Sequence, residues 1–351
     1  MTTYNSAKYG NVEAGGVENK LINGDFSVAQ RNMGAAITST TSFNNNDTAY
    51  TLDRWKLFSE SNDIVDVSQE TSTVPTNQLH AIKLDVENTN EKFGIAQCVE
   101  NENCVGIIGQ QCTLSFKAKV SDTSKLDNIK AAIIAWNGTA DAPTDDMISD
   151  WENEGTDPSL VSNFTYENTP SNLGLTTSYA TYSVTATVDT SSTTNVIAFI
   201  WSDVKDTTAG HHLFITDVML VAGTSTTYPR IKRDDQIRNC KRYYQLFKGD
   251  QNGCRYMGFA GDNADTGIIL NPPMASAPSA SVNSSPTFRH GDSTADRAST
   301  DSGFQIRSQF FDVNGDFYTL RLSSTDGFSG GSSNMRFANA AHFQALDAEI
   351  W

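Results

Sequence analysis

Between Thr216 and Tyr244 the hydrophobic period of the chain changes, and that change constrains the fold more than any other feature. Val218, Leu220 and Ala222 alternate with Met219 and Val221 in a short apolar run closed by Gly223, which reads as a strand. Pro229 in the turn-rich exit forbids continuing a central strand. From Asp234 onward Ile237, Cys240, Tyr244 and Phe247 follow one another at helical spacing and make one apolar stripe. Asp234 and Asp235 suit the positive end of such a helix, and Gly249 suits its stop. The pattern predicts a β-rich unit over 21–230, a short linking helix over 231–249 and a second, smaller β-sandwich over 250–351. Residues 1–20, with Tyr4 and Tyr9 as isolated aromatics among small polar residues, read as an extended docking arm.

The rest of the chain supports an all-β class. Period-2 alternation recurs in Leu114/Phe116/Ala118, in Ile133/Ala135, in Tyr182/Val184/Ala186/Val188 and in Val196/Ala198/Ile200. Ser, Thr, Asn and Gly turns separate these runs, and several short strands at such spacing indicate a sandwich. Phe304/Ile306, Phe310/Asp312 and Phe317/Thr319/Arg321 frame a hairpin with Asn314-Gly315 at its tip, because both tip residues tolerate positive φ. Asp312 to Asp316 therefore reads as that hairpin and not as a calcium loop: an EF-hand needs Gly at its sixth position and Glu at its twelfth, where Phe317 and Ser323 stand.

A net charge of −16 argues against nucleic-acid binding and against attachment to an anionic membrane. No run is apolar and long enough to span a bilayer, and the first sixteen residues lack the apolar core of a signal peptide. Cys98, Cys104, Cys112, Cys240 and Cys254 contain no CxxC pair, so buried free thiols in a reducing cytoplasm are the expectation. No nucleophile elbow and no phosphate-binding glycine loop is present.

The least β-like stretch, 141–157, holds seven carboxylates, with Trp136 and Trp151 close by. Sugars stack on indole rings while carboxylates take their hydroxyls, so Trp136, Trp151, Asp145, Asp146, Asp150 and Glu152 are the candidate glycan-binding residues. Trp55 and Trp201 lie in strand-like runs and are expected in the core. Paired carboxylates also suit glycoside hydrolysis, but this signature is compositional only and no catalytic residue is assigned.

Several segments carry a resemblance when read in order. They are Leu21 to Phe26 with Gln30-Arg31, Asp53-Arg54-Trp55, Gln97 to Glu100, Gly109, Thr113 to Lys119, Leu175 to Val184, the exit Tyr228-Pro229 with Arg230, and Cys240 to Tyr244. Together they resemble phage tail-fibre and receptor-binding-type virion proteins that carry a carbohydrate-binding-module-like jelly roll. Asn271 to Val282 and Phe343 to Ile350 resemble later segments of the same proteins, with Ala275 where an arginine is expected. The resemblance implies a jelly-roll β-sandwich over 21–230 and a virion component of a tail or head fibre that recognises host-surface polysaccharide. Its partners would be other phage structural proteins and, as a homotrimer, its own copies. A decoration or connector protein without sugar binding is the alternative, and a capsule-degrading glycosidase is a further one. No cofactor is implied beyond a structural calcium ion, for which Asp25 and Asp217 would be the oxygen donors, although Ser27 stands where sugar-binding relatives carry an acidic or large residue.

Overall fold

The computed structural model describes residues 18–31, 35–38 and 45–248, and beyond them 255–260, 263–269, 274–276, 279–282, 287–290, 296–298, 305–311, 317–323, 334–337 and 343–351. The chain divides into two units, 1–233 together with Trp351, and 234–350. Most of the expected docking arm, the tip Asn314-Gly315 and Cys254 lie outside the described residues.

The first unit contains β1 (Lys56–Ser59), β2 (Val65–Glu70), β3 (Ala81–Val86), β4 (Phe93–Val99), β5 (Gln111–Val120) and β6 (Ile129–Trp136). After these come β7 (Ile148–Asp150), β8 (Ser159–Leu160), β9 (Phe164–Tyr166), β10 (Ala180–Thr187), β11 (Asn195–Ser202) and β12 (His212–Ala222). Two five-stranded antiparallel sheets form, in the orders β1-β4-β11-β6-β9 and β10-β5-β12-β3-β2. The path leaves one sheet for the other at β1→β2, β3→β4, β4→β5, β5→β6, β9→β10, β10→β11 and β11→β12, which is the connectivity of a jelly-roll sandwich.

The alternation read from the sequence fills the space between the sheets. Leu114, Phe116, Ala118 and Val120 of β5 meet Ile129, Ala131 and Ile133 of β6, and Val196, Ala198 and Ile200 of β11, in one buried cluster. Trp55 and Trp201 are fully buried, as expected. Strands β4, β6 and β11 are buried at every position, on both faces. Their second face, carrying Phe199 and Trp201, is covered by the segment that follows β6, whose Met147, Ile148 and Trp151 are buried.

The motif residues at the start of the chain form a clasp. Gly24 O accepts from Val218 N at 2.9 Å, and any Cβ on Gly24 would sit 1.9 Å from Val218 O, so only glycine fits there. Asn23, at φ +57, holds Val28 through both ends of its amide and receives the Trp55 indole N–H on its carbonyl. Asp53 accepts from Gln30 N at 2.6 Å, Arg54 donates to Cys98 O at 2.7 Å, and Gln97 exchanges two hydrogen bonds with the Ile22 backbone. The recurring residues are thus the ones that tie the entry segment to both sheets.

The helix is shorter than its apolar spacing predicts. It runs Arg233–Lys241 (α2, after the single-turn α1 at Asn101–Cys104), and β13 begins at once over Tyr244–Lys248. Tyr243 N bonds Cys240 O at 3.0 Å to close the helix. Tyr244 and Phe247, counted above on the helix stripe, instead belong to a strand that pairs with Phe343–Asp347. The adjacent β-favouring aromatics Tyr243 and Tyr244 gain a ladder partner there, and tertiary pairing overrides the local period. From Asp234 the helix groups with the second unit. That unit holds a three-stranded and a seven-stranded antiparallel sheet, and Gln305–Phe311 pairs with Phe317–Ser323 as the expected hairpin.

Candidate functional site

The carboxylate-rich stretch is bound down by lysines. Lys92 and Asp203 are both 0% exposed and ion-paired, and Lys130 bridges Asp203 at 2.8 Å and Asp157 at 2.7 Å. Lys92 Nζ also donates to the carbonyls of Asn153 and Thr156, and Gly155 N donates to Asp203. Burial depresses the Lys130 ammonium, but its hydrogen bonds to Asp157 and Asp203 outweigh this and hold it above its ordinary value. Lys56, 0% exposed, donates to Asp145 at 2.6 Å; here burial wins and its ammonium lies below the ordinary range.

The other carboxylates of the stretch are engaged locally. Asp146 accepts from Ile148 N, Asp150 from Glu152 N, and Glu152 from Ser159 Oγ. Burial raises the Asp146 carboxyl. Trp136 is 4% exposed and lies 4.6 Å from the Phe164 ring, with its N–H on Thr139 O. Trp151 is 8% exposed and packs 6.3 Å from Phe199. The expectation that these two rings form an exposed stacking platform is therefore corrected. Asp145, Asp146, Asp150, Trp151 and Glu152 lie on one covering segment while Trp136 ends β6, and the apolar side chains of that segment face the sheet, as the hydrophobic effect demands of Trp151 beside Phe199.

The opposite sheet carries a groove. In β12 the register slips between Thr216 and Met219, and Asp217 sits there at φ +54, 4% exposed. The bulge turns its carboxylate to the outer face, where Lys117 donates at 2.9 Å and Gln78 donates to both oxygens. A cavity of about 290 Å³ opens beside it, lined by Gln78, Ser115, Lys117, Thr181, Asp217, Thr226, Thr227, Tyr228 and Arg230. An adjoining cavity of about 170 Å³ shares Gln78 and Arg230 and adds Asp25, Ser27, Leu79, His80, Ile231 and Arg233. Leu79 is 73% exposed and Ile231 36%, so two apolar side chains stand at the rim.

Burial, with the Asp25 and Asp217 carboxylates, pushes the Tyr228 phenol above its ordinary value, so it remains an O–H donor. Burial lowers the His80 imidazole and keeps it neutral at pH 7. Among the described residues Arg230 forms no ion pair, and its guanidinium is held by Asn77 O. The groove thus offers hydroxyl, amide and guanidinium donors beside two apolar contacts, a set that matches a polyhydroxylated ligand.

Asp25 and Asp217 line the two adjoining cavities, but their surroundings do not fit calcium. Nitrogen donors, an ammonium among them, take Asp217, and Asp25 Oδ1 accepts from Ser27 N. Cys98, Cys104, Cys112 and Cys240 are buried free thiols, as expected, and burial pushes Cys104 up to about 12 and Cys112 up to about 11. Among the described residues no helix is long and apolar enough to cross a membrane.

Sequence reasoning missed the groove, though a signal for it exists. Leu213 and Ile215 point inward at odd positions and Val218 and Leu220 at even ones, a phase slip that marks the bulge.

No family model matches the chain, and no curated protein matches it. Among solved structures, a putative sugar-binding protein from Bacteroides thetaiotaomicron aligns over 59% of this chain and 100% of its own at 13% identity, with a TM-score of 0.36. A xylan-binding domain of carbohydrate-binding module family 22 aligns over 54% and 99% at 9% identity, with a TM-score of 0.31. The enzymatically active domain of tailspike protein 4 from bacteriophage CBA120 aligns over 53% of this chain but 21% of its own, at 14% identity and a TM-score of 0.31. Likenesses this distant assign no ligand.

Proposed function

We propose that the first unit binds a cell-surface glycan, without cleaving it, in the groove joined by Gln78 and Arg230. The observation that carries this reading is the continuity of the two cavities through those shared residues, which sets hydrogen-bond donors and two exposed apolar side chains along one path. Binding without hydrolysis is favoured because the carboxylates of the 141–157 stretch are held by lysines, backbone amides and a serine hydroxyl. In the wider setting we read the chain as a bacteriophage virion protein, a tail or head fibre component in host recognition. The ordered motif residues, now seen as the clasp around Gly24, Asn23 and Gln97, support that setting. Assembly as a homotrimer through the second unit belongs to the same reading, and light scattering tests it: a 38.2 kDa particle at micromolar concentration contradicts the trimer.

A second reading, a decoration or connector protein of the virion, is favoured by one observation. Every motif residue just named serves packing, so the fold persists whether or not the groove binds sugar. A glycan array read with the wild-type chain and with Gln78→Ala/Arg230→Ala separates the two. Binding that the double variant loses supports the glycan reading. A silent array together with no binding to host cells supports the connector.

A further inference from the structure

Two guanidinium groups share the smaller cavity of the groove. Arg230 and Arg233, on the segment that leaves β12, both line it beside Asp25 and His80. Among the described residues neither forms an ion pair. Arg230 Nη2 donates to Asn77 O, and Arg233 Nη1 donates to Ser27 O at 3.4 Å. A guanidinium carries five N–H donors in a planar fork, and a backbone carbonyl engages one of them without neutralising the charge.

The surrounding groups do not cancel this pair. Asp217, in the adjoining cavity, is taken by Lys117 at 2.9 Å and by Gln78. Asp25 is the carboxylate that lines the smaller cavity, and Ser27 N donates to it. His80 adds no charge at pH 7, because burial lowers its imidazole, with Arg233 acting in the same direction and Asp25 against it. Asp234 and Asp235, next in the chain, are exposed to water and outside the lining. Two cations thus stand against one carboxylate in the lining, although the whole chain carries −16. Charges beyond about 8 Å are screened at physiological salt, so a bound ligand feels chiefly the groups that line the cavity.

A neutral sugar would strip water from both guanidinium groups and return no charge to them. An acidic sugar replaces that water with charge-assisted hydrogen bonds, which the fork makes in pairs. Leu79 and Ile231, in the same lining, offer its ring an apolar contact. We propose that the groove selects acidic polysaccharide, whose uronate carboxylate or sulfate ester is held by Arg230 and Arg233. This inference rests on the glycan reading of the groove and adds to it the charge of the ligand.

A glycan array probed with the full chain tests it, using uronate- and sulfate-bearing glycans beside neutral glycans of matched backbone. Binding confined to acidic glycans and weakening as sodium chloride rises is expected, and the acid that binds tells carboxylate from sulfate. Arg233→Gln should weaken that binding about tenfold or more, and Arg233→Lys, which keeps the charge and loses the fork, by less. Arg233 is exposed, so both variants should melt as the wild type does. Lys83→Gln, outside the groove lining, should bind as the wild type does. Neutral glycans bound as well as acidic ones would overturn the inference while glycan binding itself stands. So would acidic binding that Arg233→Gln leaves unchanged, or that Lys83→Gln weakens equally. A silent array also overturns it, and silence together with unbound host cells removes the glycan reading as well.

Discussion

The outer faces of the two sheets differ in a way that composition does not show. The β1-β4-β11-β6-β9 face carries the tryptophans and is overlaid by the carboxylate-rich segment, yet it is closed: Trp136 and Trp151 are buried and Asp145 and Asp157 are clamped to Lys56 and Lys130. The β10-β5-β12-β3-β2 face is rich in Ser and Thr, and it is the one that opens into a groove beside Asp217 and Arg230. The difference teaches that an aromatic and acidic stretch beside a two-sided apolar sheet is first a cover for that sheet. Ligand access arises instead where a bulge interrupts regular pairing.

The closed face should fail hardest when its charges are broken. Asp203→Ala leaves Lys92 without its counter-ion in the interior, while Lys130 keeps Asp157, and a loss of ~3–5 kcal/mol in a urea or guanidinium melt is expected. A loss under 1 kcal/mol would mean that water reaches the network. Trp136→Ala and Trp151→Ala should each cost about 3–5 kcal/mol as buried aromatics, and near-neutral melts would restore them as surface residues. Gly24→Ala tests the link between the clasp and the groove. Its Cβ meets Val218 O, so a loss of ~1–3 kcal/mol is expected. The adjacent Asp217 bulge should shift with it, weakening glycan binding together with stability.

On the open face Arg230→Ala should change stability by no more than about 0.5 kcal/mol, as exposed substitutions do, while abolishing glycan binding. The smallest effect is a pH dependence from His80. Its folded-state pKa lies below the ordinary value of 6.5 because burial disfavours the cation. The unfolded chain therefore binds the proton first, and stability falls as pH drops from that ordinary value through the folded one. Chemical melts between pH 7 and 5 should show a shallower decline in His80→Gln, and an unchanged slope would place His80 in water.

These contrasts also show what the sequence could carry. Alternation in Leu114/Phe116/Ala118 and in Val196/Ala198/Ile200 located core strands, because a sandwich interior imposes period 2 on each strand locally. The helix stripe through Tyr244 and Phe247 misled, because a strand almost a hundred residues away at Phe343–Asp347 offers Tyr244 its pairing. Exposure of Trp136 and Trp151 was illegible for a similar reason. Whether a ring faces water depends on Phe164, Phe199 and the lysines of other strands, none of which the local pattern reports. The groove left only the odd-to-even slip at Thr216-Asp217 as its local trace.

Hydroxyl-radical footprinting of the full chain, with and without a host-surface polysaccharide, bears most directly on the claim that ligand enters the open face. The account expects Tyr228, Leu79 and His80 to lose reactivity when polysaccharide is added, while Trp136 and Trp151 react slowly in both states. Fast-reacting Trp136 and Trp151 that become protected, with Tyr228 and Leu79 unchanged, would contradict it.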